Sequence, residues 1–98
     1  MMLCGTGTKV MLSSQEQAYI ARCARKHAVR QVLLFGSSLD RDDARDIDLG
    51  VEGVVPGTFF KLYADLLRGL PKPVDLVDLS DGTLFCRLVR EEGRVIYG

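Results

Sequence analysis

Residues 32–49 read VLLFGSSLDRDDARDIDL, and the fold turns on how this stretch is divided. An apolar strand runs from Gln31 to Phe35 into the turn Gly36-Ser37. After eight intervening residues, Asp46-Ile47-Asp48-Leu49 opens a second apolar strand. Side chains two apart on a strand share a face, with ~6.5–7 Å of backbone rise between them. Asp46 and Asp48 therefore stand on one side, while Ile47 and Leu49 turn into a core. Aspartate is depleted in strands, and close like charges repel unless something neutralises them. The usual neutraliser of such a pair is a hard divalent cation such as magnesium, which takes carboxylate oxygen.

Upstream, Ser13 with Glu16, or Ser14 with Gln17, has the spacing of a capping box and opens a helix. Gln17, Ile20, Ala21, Ala24 and Ala28 trace its apolar stripe, and Arg25 and Lys26 crowd the end where the helix dipole favours cations. Residues 1–12 show no periodicity and are expected to be a tail. Downstream, Pro56-Gly57 introduces a second helix with Phe59, Leu62, Tyr63, Leu66 and Leu70 in register, stopped by Gly69 and Pro71. Val74 to Leu79 reads as a third strand. Leu84, Phe85, Leu88 and Val89 mark a third helix ending at Gly93, and Arg94 to Tyr97 a last short strand. The order α-β-β-α-β-α-β implies an α/β (α+β) domain over residues 13–98, with a small sheet of about four strands flanked by three helices. The short link between the first two strands makes the sheet mixed, because parallel neighbours need a long crossover.

With 98 residues, 47% of them apolar, the chain can bury one core and no more. Thirteen basic residues balance thirteen acidic ones, which counts against gripping a long nucleic acid by its phosphates. Three scattered cysteines offer neither a disulfide framework nor a thiolate metal site, so a reducing cytoplasm is expected. No segment is apolar for long enough to span a membrane.

Gly36-Ser37 after a buried strand exposes N–H groups and a hydroxyl where a phosphate could bind, although such dipeptides are also ordinary turns. An Asp-Ile-Asp strand by itself reads equally well as a solvated sheet face. In the intervening loop, Asp40, Asp42 and Asp43 read as solvated acids. Arg41 and Arg45 are placed to pair with them or to meet a triphosphate, and Arg45 is counted among the nucleotide-binding candidates. Asp75 and Asp78 are three apart and point to opposite faces of their strand, so at most one joins the Asp46/Asp48 face. Periodicity does not say which. His27, the only histidine, reads as a complement to the helix dipole.

In this order, Gly36-Ser37, Asp46-Ile47-Asp48-Leu49 and an aspartate in a later apolar strand resemble the nucleotidyltransferase superfamily of DNA polymerase beta. More narrowly the chain is similar to the minimal nucleotidyltransferases, over about residues 30–98. The resemblance implies that Gly36 and Ser37 contact nucleotide phosphates, and that Asp46, Asp48 and Asp75 ligate two magnesium ions. It further implies transfer of a nucleoside monophosphate, AMP from ATP, to a hydroxyl, and an antitoxin role in which the acceptor is a tyrosine of a HEPN-domain partner. Self-association stays open. The loop from Ser38 to Arg45 is shorter than the family's usual G-S-x-A-x-G stretch, and Arg45 stands where a serine is usual. That departure favours an alternative: a non-catalytic module that binds nucleotide, or neutralises a HEPN-type partner by contact.

Overall fold

The structure, a computed structural model, describes residues 12–36, 46–80 and 82–98. Helix α1 (Ser14–Lys26) starts from the capping box that the sequence spells. Ser13 Oγ accepts from the Glu16 N–H at 3.0 Å, and Glu16 Oε1 accepts from the Ser13 N–H at 2.8 Å. Strand β1 (Gln31–Phe35) follows, then β2 (Ile47–Glu52). A 3-10 turn over Pro56–Thr58 leads into α2 (Phe59–Gly69), and β3 (Val74–Asp78), α3 (Leu84–Glu92) and β4 (Arg94–Tyr97) complete the chain. Thr83 caps α3 by accepting from the Cys86 N–H at 3.3 Å.

The sheet order is β3-β2-β1-β4. β1 runs antiparallel to β2 and β4, whereas β2 and β3 are parallel, joined through α2. The mixed α/β sheet with three helices is thus the architecture that the element order implies.

Alternation divides the sheet into two unequal faces. Val32, Leu34, Ile47, Leu49, Val51, Val74 and Leu76 point to the back, where Ile20, Cys23 and Ala24 of α1 and Leu62 and Leu66 of α2 cover them. Each fully buried Leu, Ile or Val there contributes on the order of 1.5–3 kcal/mol, so this face dominates stability. Leu12 joins the same core, and its carbonyl accepts from Gln17 Nε2 at 3.1 Å; residues 1–11 of the expected tail lie outside the described residues. Ala28 does not continue the α1 stripe. The helix ends at Lys26, Ala28 takes a left-handed φ of 57° and is exposed, and Cys23 fills the core position instead.

The front face is thinner. Leu33, Leu79, Cys86 and Val89 form a small cluster with Phe35 and Val77 beneath α3. Gly50 lies under it: a Cβ there would meet Leu79 Cδ1 at 2.8 Å, so the bare backbone is what lets Leu79 seat. Arg90 fastens the C-terminal end of α3 by donating to the Leu79 carbonyl and to Glu52 Oε2, each at 2.6 Å. The opposite end of the front face carries the carboxylates.

Candidate active site

Sheet register brings the candidates together. Phe35 pairs with Asp48 across β1 and β2, and Asp48 pairs with Asp75 across β2 and β3. Directly paired residues project to the same side, so a phenyl ring and two carboxylates stand in a row on the front face. Strand spacing sets the two carboxylate-bearing backbones ~4.8 Å apart. Asp46 lies just before β2, exposed like Asp75, while Asp48 is half-buried. Burial raises the Asp48 carboxyl above its usual pKa, and the nearby Asp75 and Asp46 charges push it further. Three acids therefore share one electrostatic neighbourhood, although among the described residues no group of three His, Cys, Asp or Glu side chains is arranged to hold a metal ion.

Gly36 completes the arrangement. Its φ is +73°, and a Cβ at this position would overlap Asp48 Oδ2. Glycine is required twice over: for the left-handed turn and for backbone approach to the carboxylate. The chain leaving β1 thus passes directly against the acid on β2. Ser37 and Arg45, like Asp40, Arg41, Asp42 and Asp43, lie outside the described residues.

Asp78 sits elsewhere. It pairs with Val51 at the far end of β2, and its Oδ1 accepts from the Ser80 N–H at 2.9 Å, closing the turn after β3. The choice that periodicity left open is a matter of register, and register puts Asp75 beside Asp48.

A family model for polymerase beta nucleotidyltransferases matches residues 18–98, which include every element of this face. The chain belongs to the polymerase beta nucleotidyltransferase family. No curated protein gives a match. Among solved structures, that of the toxin–antitoxin MntA–HepT is 26% identical, with a TM-score of 0.68 over 88% of this chain and 73% of that one. A toxin–antitoxin structure with AMP-PNP is 29% identical, with a TM-score of 0.70 over 84% of this chain and 73% of that one. A third, of the tri-AMPylated Shewanella oneidensis HEPN toxin in complex with MNT antitoxin, is 27% identical, with a TM-score of 0.69 over 89% of this chain and 73% of that one.

For a nucleotidyltransferase the donor set has the right chemistry. Carboxylate oxygens at one end of a sheet are the donors a hard cation takes, and the burial and neighbouring charges that raise Asp48 are a cost that a cation would relieve. Among the described residues no helix is long and apolar enough to cross a membrane.

Sequence reasoning missed the cluster on the back of the molecule. His27 Nε2 stands 2.7 Å from Asp65 Oδ2, 38 residues away, rather than merely complementing a dipole. Lys26 Nζ lies 3.3 Å from the same oxygen, Arg68 donates to the other, and the Tyr19 hydroxyl donates to the Asp65 carbonyl. This knot ties α1 to α2. Only the i, i+3 spacing of Asp65 and Arg68 was visible in the sequence. Phe85 was also missed as a neighbour of the site: its ring meets Phe35 edge-on, with centroids 5.9 Å apart.

Proposed function

We propose that this chain is a magnesium-dependent nucleotidyltransferase that moves AMP from ATP to a hydroxyl on a protein, acting as the antitoxin of a HEPN-domain toxin in the cytoplasm. The observation that carries the reading is the row Gly36, Asp48, Asp75, in which a phosphate-loop glycine packs against one carboxylate and a second carboxylate is its register partner. The neighbours with AMP-PNP and with an AMPylated HEPN toxin support the donor and the acceptor class.

In the reaction, an acceptor oxygen attacks the α-phosphorus in line. A bond forms from that oxygen to phosphorus, the α–β bridging bond breaks, and pyrophosphate leaves with the electron pair. Asp46, Asp48 and Asp75 would hold the two magnesium ions, which when bound stabilise charge on the attacking and leaving oxygens. Gly36 N–H and Ser37 would position the β- and γ-phosphates, a role in orientation. Asp75, the more exposed of the register pair, would take the hydroxyl proton and release it to solvent.

The short 38–45 loop favours the alternative of a non-catalytic binding module. ATP labelled at the α- or the γ-phosphate separates the two, incubated with magnesium and a HEPN-domain protein. Label passing to the protein from the α position alone is the expected result. Label from the γ position would mean kinase chemistry, and a stable complex without any label would leave only the binding module.

A further inference from the structure

Helix α3 is apolar where the sheet does not need it. Cys86 and Val89 face the core, yet Leu84, Phe85 and Leu88 are 69%, 51% and 43% exposed. Helix geometry sets Phe85 and Leu88 on one flank and Arg87 and Arg90 on the other. The arginine flank is located by the bonds of Arg90 to Glu52 and the Leu79 carbonyl, at the far end of β2 and β3. The Phe85 flank therefore faces the opposite end, and its edge-on contact with Phe35 confirms the direction. Phe35 is the register partner of Asp48, with Cβ atoms ~4.5–5.5 Å apart in such a pair. Phe85 thus lies one ring contact beyond the side chain that stands beside Asp48, at the carboxylate end of the front face.

We propose that the exposed ring of Phe85, propped by Phe35 and bordered by Leu84 and Leu88, is the platform on which the donor's nucleobase stacks. The inference rests on the transferase reading of the carboxylates and adds to it the base subsite. A nucleotide whose α-phosphate lies at Asp48 and Asp75 must send its base somewhere nearby, and of the two aromatic rings at this end of the face Phe85 is the exposed one. The size of the patch favours a base over a protein. Even with Leu84 and Leu88 counted, the patch is three partly exposed side chains, whereas a stable protein interface takes ~800 Å² and roughly 20–30 residues per partner. Stacking reads the area of a base rather than its edge, so the subsite takes ATP and GTP alike and pyrimidine triphosphates less well.

The test compares binding of magnesium AMP-PNP, GTP, CTP and inorganic tripolyphosphate to the wild-type chain, Phe85→Ala, Phe85→Leu and Phe85→Trp. Phe60→Ala, on α2, is the control for a 74% exposed phenyl distant from the site. The wild type should bind AMP-PNP about tenfold more tightly than tripolyphosphate, a stacking-sized increment. Phe85→Ala and Phe85→Leu should erase that increment and leave tripolyphosphate affinity unchanged, and Phe60→Ala should do neither. The chain has no tryptophan, so Phe85→Trp supplies a single reporter whose fluorescence AMP-PNP should quench and tripolyphosphate should not. Equal affinities for AMP-PNP and tripolyphosphate in the wild type, or an unchanged increment in Phe85→Ala, would overturn the subsite while the carboxylate reading stands. Absence of magnesium-dependent tripolyphosphate binding would overturn both. Loss of a HEPN complex in Phe85→Ala with nucleotide binding intact would reassign the patch to a protein partner.

Discussion

Asp65 on the back of the sheet and Asp48 on the front are the same residue in opposite surroundings. Asp65 is ringed by Lys26, His27 and Arg68, and its hydrogen bonds to His27 above all hold its carboxyl at a pKa of about 2. Asp48 is half-buried next to Asp75 and Asp46, and its carboxyl is pushed up. One carboxylate is matched to its neighbours and braces two helices. The other is set among like charges, an arrangement that weakens the fold and is useful only to something positive. The sign of the surroundings is what separates a bracing charge from a candidate ligand.

The largest break in this comparison is Asp48→Asn. Transfer should fall by ~10³-fold or more, as expected for removal of a metal ligand worth several kcal/mol at the transition state. The metal-free protein should melt no lower than wild type. The sign follows from the raised pKa: such a carboxyl binds protons more readily folded than unfolded, so its charge costs stability as pH rises through the folded value. A clear drop in melting temperature would refute the idea that Asp48 is strained. Asp75→Asn should be similarly inactive, whereas Asp78→Asn should retain transfer, its carboxylate being engaged with the Ser80 N–H.

Gly36→Ala comes next. A Cβ at φ +73° that also overlaps Asp48 Oδ2 must move the carboxylate or the turn. Displacement of about 1 Å costs ~100-fold in rate, with ~1 kcal/mol of backbone strain, and parallel activity and denaturation measurements would separate the two.

The back face is tested by pH. Because the folded pKa of Asp65 is depressed, its contribution is fully present above the usual carboxylate range and is lost as pH falls toward about 2. Asp65→Asn should therefore flatten the acid limb of the stability curve between about pH 4 and 2, and Asp48→Asn should not. The smallest effect belongs to Lys26→Met. Its side chain is 68% exposed, and an ion pair so open to solvent should change stability by less than ~1 kcal/mol.

Much of the fold was legible before any coordinates. The Ser13–Glu16 capping box and the Phe59 to Leu66 stripe are local patterns, and local patterns are what periodicity reads. The stripe of α1 failed at Ala28. The helix ends at Lys26, the next residue His27 meets Asp65 on α2, and no count of spacings within α1 contains that partner. At the site, Asp46, Asp48 and Asp75 were named from the sequence, but Asp75 was preferred to Asp78 on family resemblance alone.

What the sequence determined by itself was the inventory: four strands, three helices, a Gly-Ser turn and an Asp-Ile-Asp strand with one polar face. Each follows from side-chain volume, polarity and backbone freedom over a few residues. Only the tertiary structure decided which atoms meet. Parallel pairing of β2 with β3 put Asp75 beside Asp48, the close passage of Gly36 against Asp48 made that glycine obligatory, and the crossing of α3 brought Phe85 edge-on against Phe35. Register and helix crossing are set by how whole faces pack, and a one-residue slip would exchange every face, so this information does not reside in any short stretch of the chain.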